Sequence, residues 1–184
     1  MNFLKTIAFA AAFLTSTFLT SALPVQEKFV ELSPVNSKQV SETVINAAAE
    51  KFFYKLSDDE YFLNRYYSAV EENPAAAEKS NLFEFETADL NGDGRVELFV
   101  NNHNLSISAN YLTVVYSIED NNLREILESD GVFYVSTAPA GNYKTIRTVR
   151  HESAIEHSAV EFTYNAVVGV YQQSTKPELI TKSK

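Results

Sequence analysis

One nine-residue stretch carries the side chains best spaced for chemistry: Asp89-Leu90-Asn91-Gly92-Asp93-Gly94-Arg95-Val96-Glu97. Oxygen-bearing side chains fall at its first, third, fifth and ninth places. Calcium takes six to eight hard oxygen ligands at about 2.3–2.6 Å, and a chain supplies them from alternate residues only by bending tightly around the ion. Gly94, in sixth place, permits that bend because it tolerates a positive φ. Gly92, in fourth place, is expected to relieve crowding. Asp89, Asn91 and Asp93 would donate side-chain oxygens, and Arg95 its backbone carbonyl. Glu97 would close the sphere directly or through a water. Asp, Asn and Gly are also ordinary hairpin residues. Two of the chain's five glycines lie here, however, and the loop's carboxylates would repel one another without a cation. Magnesium suits the stretch less, because it rarely uses an all-protein cage.

The stretch resembles two kinds of calcium loop. The EF-hand loop ends in a bidentate Glu at its twelfth place. Here that place is Val100, and Val96-Glu97-Leu98-Phe99-Val100 has the alternation of a strand rather than a helix. The segment from Phe85 to Val100 is more similar to the strand–DxDxDG–strand unit of FG-GAP/VCBS-type repeats, with Asn91 in the second acidic place. The resemblance covers 16 residues in a single copy, whereas a propeller needs several four-stranded blades. It implies one calcium ion and its ligands, and does not imply a propeller.

Other candidates fit ordinary roles better. His151-Glu152 followed by His157 lacks the four-residue His spacing of a zinc-protease helix, because Ile155 stands there. Ser153 has no strand–turn–helix setting for a nucleophile. His103, among Asn101, Asn102 and Asn104, reads as a loop histidine. Glu84 and Glu86 could form a carboxylate pair for sugar hydrolysis, but strand alternation makes them a solvated face. Lys144, Arg147 and Arg150 fall on one strand and read as a solvated face too. The tyrosines from Tyr61 to Tyr67 read as helix core and rim.

The elements that must position the loop are legible on either side of it. Val40, Val44, Ile45, Ala48, Phe52 and Leu56 recur at helical spacing from Ser37 onward. Ser57-Asp58-Asp59-Glu60 has the form of a capping box. A second helix follows to about Glu72, with Phe62, Tyr66, Ala69 and Val70 inward, and Asn73-Pro74 ends it. From Leu82 the period changes to two. Phe83 and Phe85, Val96 to Val100, Tyr111 to Ile118, Leu123 to Leu127, Val132 to Val135, Tyr143 to Arg150, Val160 to Tyr164 and Val167 to Tyr171 read as short strands. Asn, Asp and Gly separate them. The expected fold class is α+β: an N-terminal helical pair (37–72) packed on an antiparallel β-meander (82–173) of about seven to eight strands. Residues 23–36 read as an extended lead-in, 37–173 as a single domain and 174–184 as a polar tail.

Met1 to Lys5 is a short basic start. Thr6 to Phe18 is apolar, and Leu19 to Ala22 ends in small residues, which is the layout of a secretory signal peptide. The apolar run is short for about 30 Å of hydrocarbon. Cleavage after Ala22 would leave 162 of the 184 residues and, with Lys5 gone, a formal charge of −10 in place of −9. That acidity excludes a general nucleic-acid binder and docking on anionic lipid. A hydrophobic content of 45% suffices for a core. With no cysteine there are no disulfides, thiolate metal sites or cysteine nucleophiles. The sequence therefore leads to an expectation of an exported, periplasmic or secreted, calcium-binding interaction module. Its structural Ca2+ loop lies between two strands, its partner is a protein of the envelope or extracellular space, it is not an enzyme, and nothing inserts in the membrane after cleavage. The alternatives are a secreted or periplasmic hydrolase using calcium as scaffold, or an inhibitor or immunity protein of a cell-envelope enzyme.

Overall fold

A computed structural model describes residues 28–103, 110–153 and 156–181. The expected signal peptide, residues 1–22, lies outside the described residues. Ser41 opens the first helix, α1 (Glu42–Leu56), by accepting the Val44 amide on its hydroxyl at 3.4 Å. The expected helical start at Ser37 is therefore too early, although Val40 is buried as anticipated. The expected Ser57–Glu60 capping box is also not what forms. Ser57 closes α1 by donating its hydroxyl to the Tyr54 carbonyl at 2.7 Å. Asp59 caps α2 (Glu60–Glu72), accepting the Tyr61 amide at 2.8 Å. A carboxylate at the positive end of a helix is the stronger acceptor, which leaves Ser57 free for the preceding helix. Asn73 and Pro74 end α2, as expected, and also start a short 3-10 turn, Pro74–Ala77.

The described residues form eleven strands, nine after the change of period and two before it. They are β1 (Phe29–Glu31), β2 (Ser33–Pro34), β3 (Glu84–Ala88), β4 (Glu97–Asn101), β5 (Leu112–Glu119), β6 (Asn122–Asp130), β7 (Val132–Ala140), β8 (Tyr143–His151), β9 (Glu156–Asn165), β10 (Val170–Gln173) and β11 (Glu178–Thr181). All pairings are antiparallel. The α+β class holds, but the strands do not form one meander. They form a five-stranded sheet, β2-β3-β4-β5-β6, and a six-stranded sheet, β1-β7-β8-β9-β10, with β11 also on β9. The lead-in is partly strand, since β1 and β2 join one sheet each. Part of the tail is strand too, as β11 pairs with β9. Val167, expected inside a strand, sits in the turn between β9 and β10 and is 93% exposed.

The chain leaves the first sheet for the second at Gly131. Its φ is +101°, and a Cβ there would lie 2.5 Å from the Val149 carbonyl oxygen. Two apolar layers result. Leu98, Val100, Val114 and Tyr116 face the helices, where they meet Val44, Ala48, Phe52 and Phe83. Phe99 and Val115 point the other way, onto Phe133, Val135, Ile146 and Tyr171 of the second sheet. β4 is thus buried at every residue. Both faces of these strands are apolar because a helical layer covers one and a second sheet the other. The helices share this work unequally. α1 buries Val44, Ala48, Ala49, Phe52 and Phe53, whereas α2 fully buries Phe62 alone. Phe53 links the two helices, its ring 5.5 Å from that of Phe62 and 4.9 Å from that of Tyr66, and Phe62 also stacks on Phe83. Among the described residues no helix is long and apolar enough to cross a membrane.

Gly131→Ala should therefore destabilise the fold by about 2–4 kcal/mol, through positive φ and contact with strand backbone together. Urea denaturation followed by far-UV circular dichroism measures this. A loss below about 0.5 kcal/mol would contradict a tight crossing at this residue.

Candidate metal loop

The loop joins β3 to β4 at one end of the two sheets. The turns between β5 and β6, β7 and β8, and β9 and β10 share that end. Its backbone is folded by its own acidic and amide side chains. Asp89 accepts the Gly92 amide at 2.6 Å on one carboxylate oxygen and the Gly94 amide at 3.0 Å on the other. Asn91 accepts the Asp93 amide at 3.0 Å, and Asp93 accepts the Arg95 amide at 2.7 Å. The Asn91 side-chain amide also donates to Asp93 at 3.0 Å. Gly92 and Gly94 hold φ of +74° and +83°. A Cβ on either would meet nothing within 4 Å, so the expectation that Gly92 relieves crowding is corrected. The requirement there is backbone handedness.

Glu97 differs from the other candidates. It faces the interior between the sheets, on the same side of β4 as Phe99, and is 5% exposed. It accepts the Leu90 amide at 2.8 Å. Burial pushes its carboxyl up to about 7; the nearby Asp93 and Asp89 add to the rise, and the Leu90 amide opposes it. Glu97 therefore feels the charge of Asp93 and Asp89. Among the described residues, however, no three His, Asp or Glu side chains are drawn into one coordinating set. Asp89 and Asp93 are turned toward loop amides. Each carboxylate oxygen keeps a second lone pair, so these bonds leave acceptor capacity for a cation. The Arg95 side chain is exposed.

Sequence reasoning misses what the loop rests on. The Lys144 amide donates to the Leu90 carbonyl at 2.7 Å, and its ammonium donates to the Asp89 carbonyl at 2.8 Å. Tyr143 precedes it on the same strand. Its ring stacks on Tyr164 at 3.7 Å, and Tyr171 lies edge-on to both. Strand alternation assigns Lys144 only to a solvated basic face, and nothing in local spacing marks a contact 55 residues away. The other two basic residues of that face are engaged as well. Arg147 pairs with Glu161 and lies over the Phe29 ring, and Arg150 pairs with Asp130.

Away from the loop, His151 and His157 are cross-strand partners with rings 4.3 Å apart. Glu84 and Glu86 lie on the face of β3 that looks toward the second sheet; the Glu84 side chain is 44% exposed, as a solvated face requires, whereas Glu86 is half-buried. Burial raises the Glu86 carboxyl, and Glu84 and Glu31 add to the rise. Glu84 meets His103 at 3.2 Å. Comparison with known protein families, curated proteins and solved structures gives no match.

The raised carboxyl of Glu97 fixes the sign of a pH effect. Between its ordinary 4.5 and about 7, the folded chain holds a proton that the unfolded chain has lost. The associated stability is complete below about 4.5 and is lost as pH rises to about 7. In calcium-free buffer, the stability of wild type should fall relative to Glu97→Gln across that window. Glu86 titrates in both proteins and cancels. Parallel pH profiles would show that Glu97 is not held protonated.

Proposed function

We propose that the protein is an exported interaction module whose 89–97 loop takes one structural calcium ion. What supports this most is the position of Glu97. A buried carboxylate lies beneath two further carboxylates, on a loop whose turns are already set by its own side chains. A divalent cation compensates that charge, and every donor offered is a hard oxygen. Asp89, Asn91 and Asp93 would hold the ion through side chains, Arg95 through its carbonyl and Glu97 through its free oxygen or a water. The same loop is tied by Lys144 to β8 of the second sheet. Calcium would therefore fasten two sheets in a chain that has no disulfide. The partner is a protein of the envelope or extracellular space. The acidic surface disfavours nucleic acid, and the chain stays out of the bilayer once residues 1–22 are removed.

A ligand that binds only the folded state stabilises it by about 2.7 kcal/mol at one hundred times its dissociation constant. In a chain of this size that corresponds to roughly 5–10 °C. Calcium in excess should raise the melting temperature by that amount over a calcium-stripped sample, and Asp93→Ala should remove the response. Identical melting in both conditions, with no calcium copurifying, would rule the ion out. Export is checked separately by mass spectrometry of the secreted or periplasmic protein, which should begin at Leu23; an intact Met1 terminus would contradict it.

A further inference from the structure

Beside the metal loop lies an open pocket of about 520 Å3, lined by Lys38, Gln39, Gly94, Arg95, Val96, Ile118, Asp120 and Asn121. Two cations line it in a chain of net charge −9. Lys55, Lys79, Arg124, Arg147 and Arg150 are all paired with carboxylates. Lys51 and Lys144 donate to backbone carbonyls. Lys28, Lys38, Arg65, Arg95 and Lys176 have no carboxylate within ion-pair distance among the described residues, and of these Lys38 and Arg95 line this pocket together. Gln39 and Asn121 add neutral side-chain donors. Val96 and Ile118, both half-buried and packed on the helix-facing core, give the pocket an apolar floor.

We propose that this pocket binds a small organic anion, its oxyanion head held by Lys38 and Arg95 and its apolar body resting on Val96 and Ile118. A guanidinium offers a planar fork of donors that matches two oxygens of a carboxylate or phosphate, and an ammonium adds a point charge. The volume suits a small ligand. Asp120 is the one acid in the lining and opposes binding. Gly94 and Arg95 belong to both the pocket and the metal loop. In the coupled form of the proposal, which rests on the calcium reading, the ion neutralises Asp89, Asp93 and Glu97 and strengthens the anion. The anion then strengthens calcium by the same factor.

The test is a two-dimensional amide NMR titration of the protein with benzoate (head and body) and with sulfate (head alone), in calcium-stripped buffer. Saturable shifts at Gly94, Arg95 and Asn121 are expected at millimolar concentration, tighter for benzoate. Lys38→Gln with Arg95→Gln should weaken benzoate about tenfold, and Asp120→Asn should tighten it about threefold. All three side chains are exposed, and Asn tolerates the positive φ at residue 120. Shifts that stay linear, or affinities that ignore these substitutions, would overturn the pocket. Repeating the benzoate series in calcium should tighten it about threefold, and equal affinity would overturn the coupling. Calorimetric titration with calcium alone separates the two readings. If calcium does not bind, the loop reading fails, and the pocket is judged on the calcium-stripped series.

Discussion

β4 is buried along its whole length, and much of the architecture follows from that constraint. Five consecutive buried residues cannot be served by one hydrophobic layer, because successive side chains leave a strand on opposite faces. Leu98 and Val100 require the helices, and Phe99 requires the second sheet. Glu97, at the start of the strand, is carried inward on the same side as Phe99. A carboxylate thereby enters an interior that is otherwise Leu90, Phe99, Val115 and Ile146. Placing it there costs free energy unless it is protonated, hydrogen-bonded or opposed by positive charge. The Leu90 amide meets part of that cost.

The loop that leads into β4 inherits this problem together with the means of solving it. Its side chains fold its own backbone, so its shape is set largely within the loop. Lys144 then fixes that shape to β8 with a backbone and a side-chain bond. The sheets are joined elsewhere by the chain itself, through Leu32 between β1 and β2 and through Gly131 between β6 and β7. At the loop end the junction is a set of hydrogen bonds, and a cation held by the loop would reinforce it. This is the sense in which a metal would do the work of a disulfide in a chain without cysteine.

How far the sequence foretells this varies with the range of the interaction. Helical spacing locates α1 and α2, and period-two alternation locates most strands, because both patterns are local. The capping residue of α2 escapes such reasoning because Ser57 and Asp59 compete for neighbouring roles that only the finished turn resolves. The partition into two sheets is not legible. Apolar residues on both faces of β5 fit a helical layer on one side, and nothing nearby says that the other side is covered by strands from residue 132 onward. β1 and β11 are hidden for a similar reason, since short edge strands are defined by their partners. In the loop, the donors and their spacing are visible. Burial of Glu97 and support by Lys144 are not, because each depends on a contact with a distant strand.

If an ion in the 89–97 loop stabilises the junction between the two sheets, native-state hydrogen exchange reads that effect most directly. The Leu90 amide lies within the loop, and the Lys144 amide reaches the loop from the other sheet. Calcium should slow exchange at both amides by a similar factor, with smaller effects at the opposite end of the sheets. Protection at Lys144 that is unchanged by calcium, while calcium is bound, would contradict a metal-fastened junction.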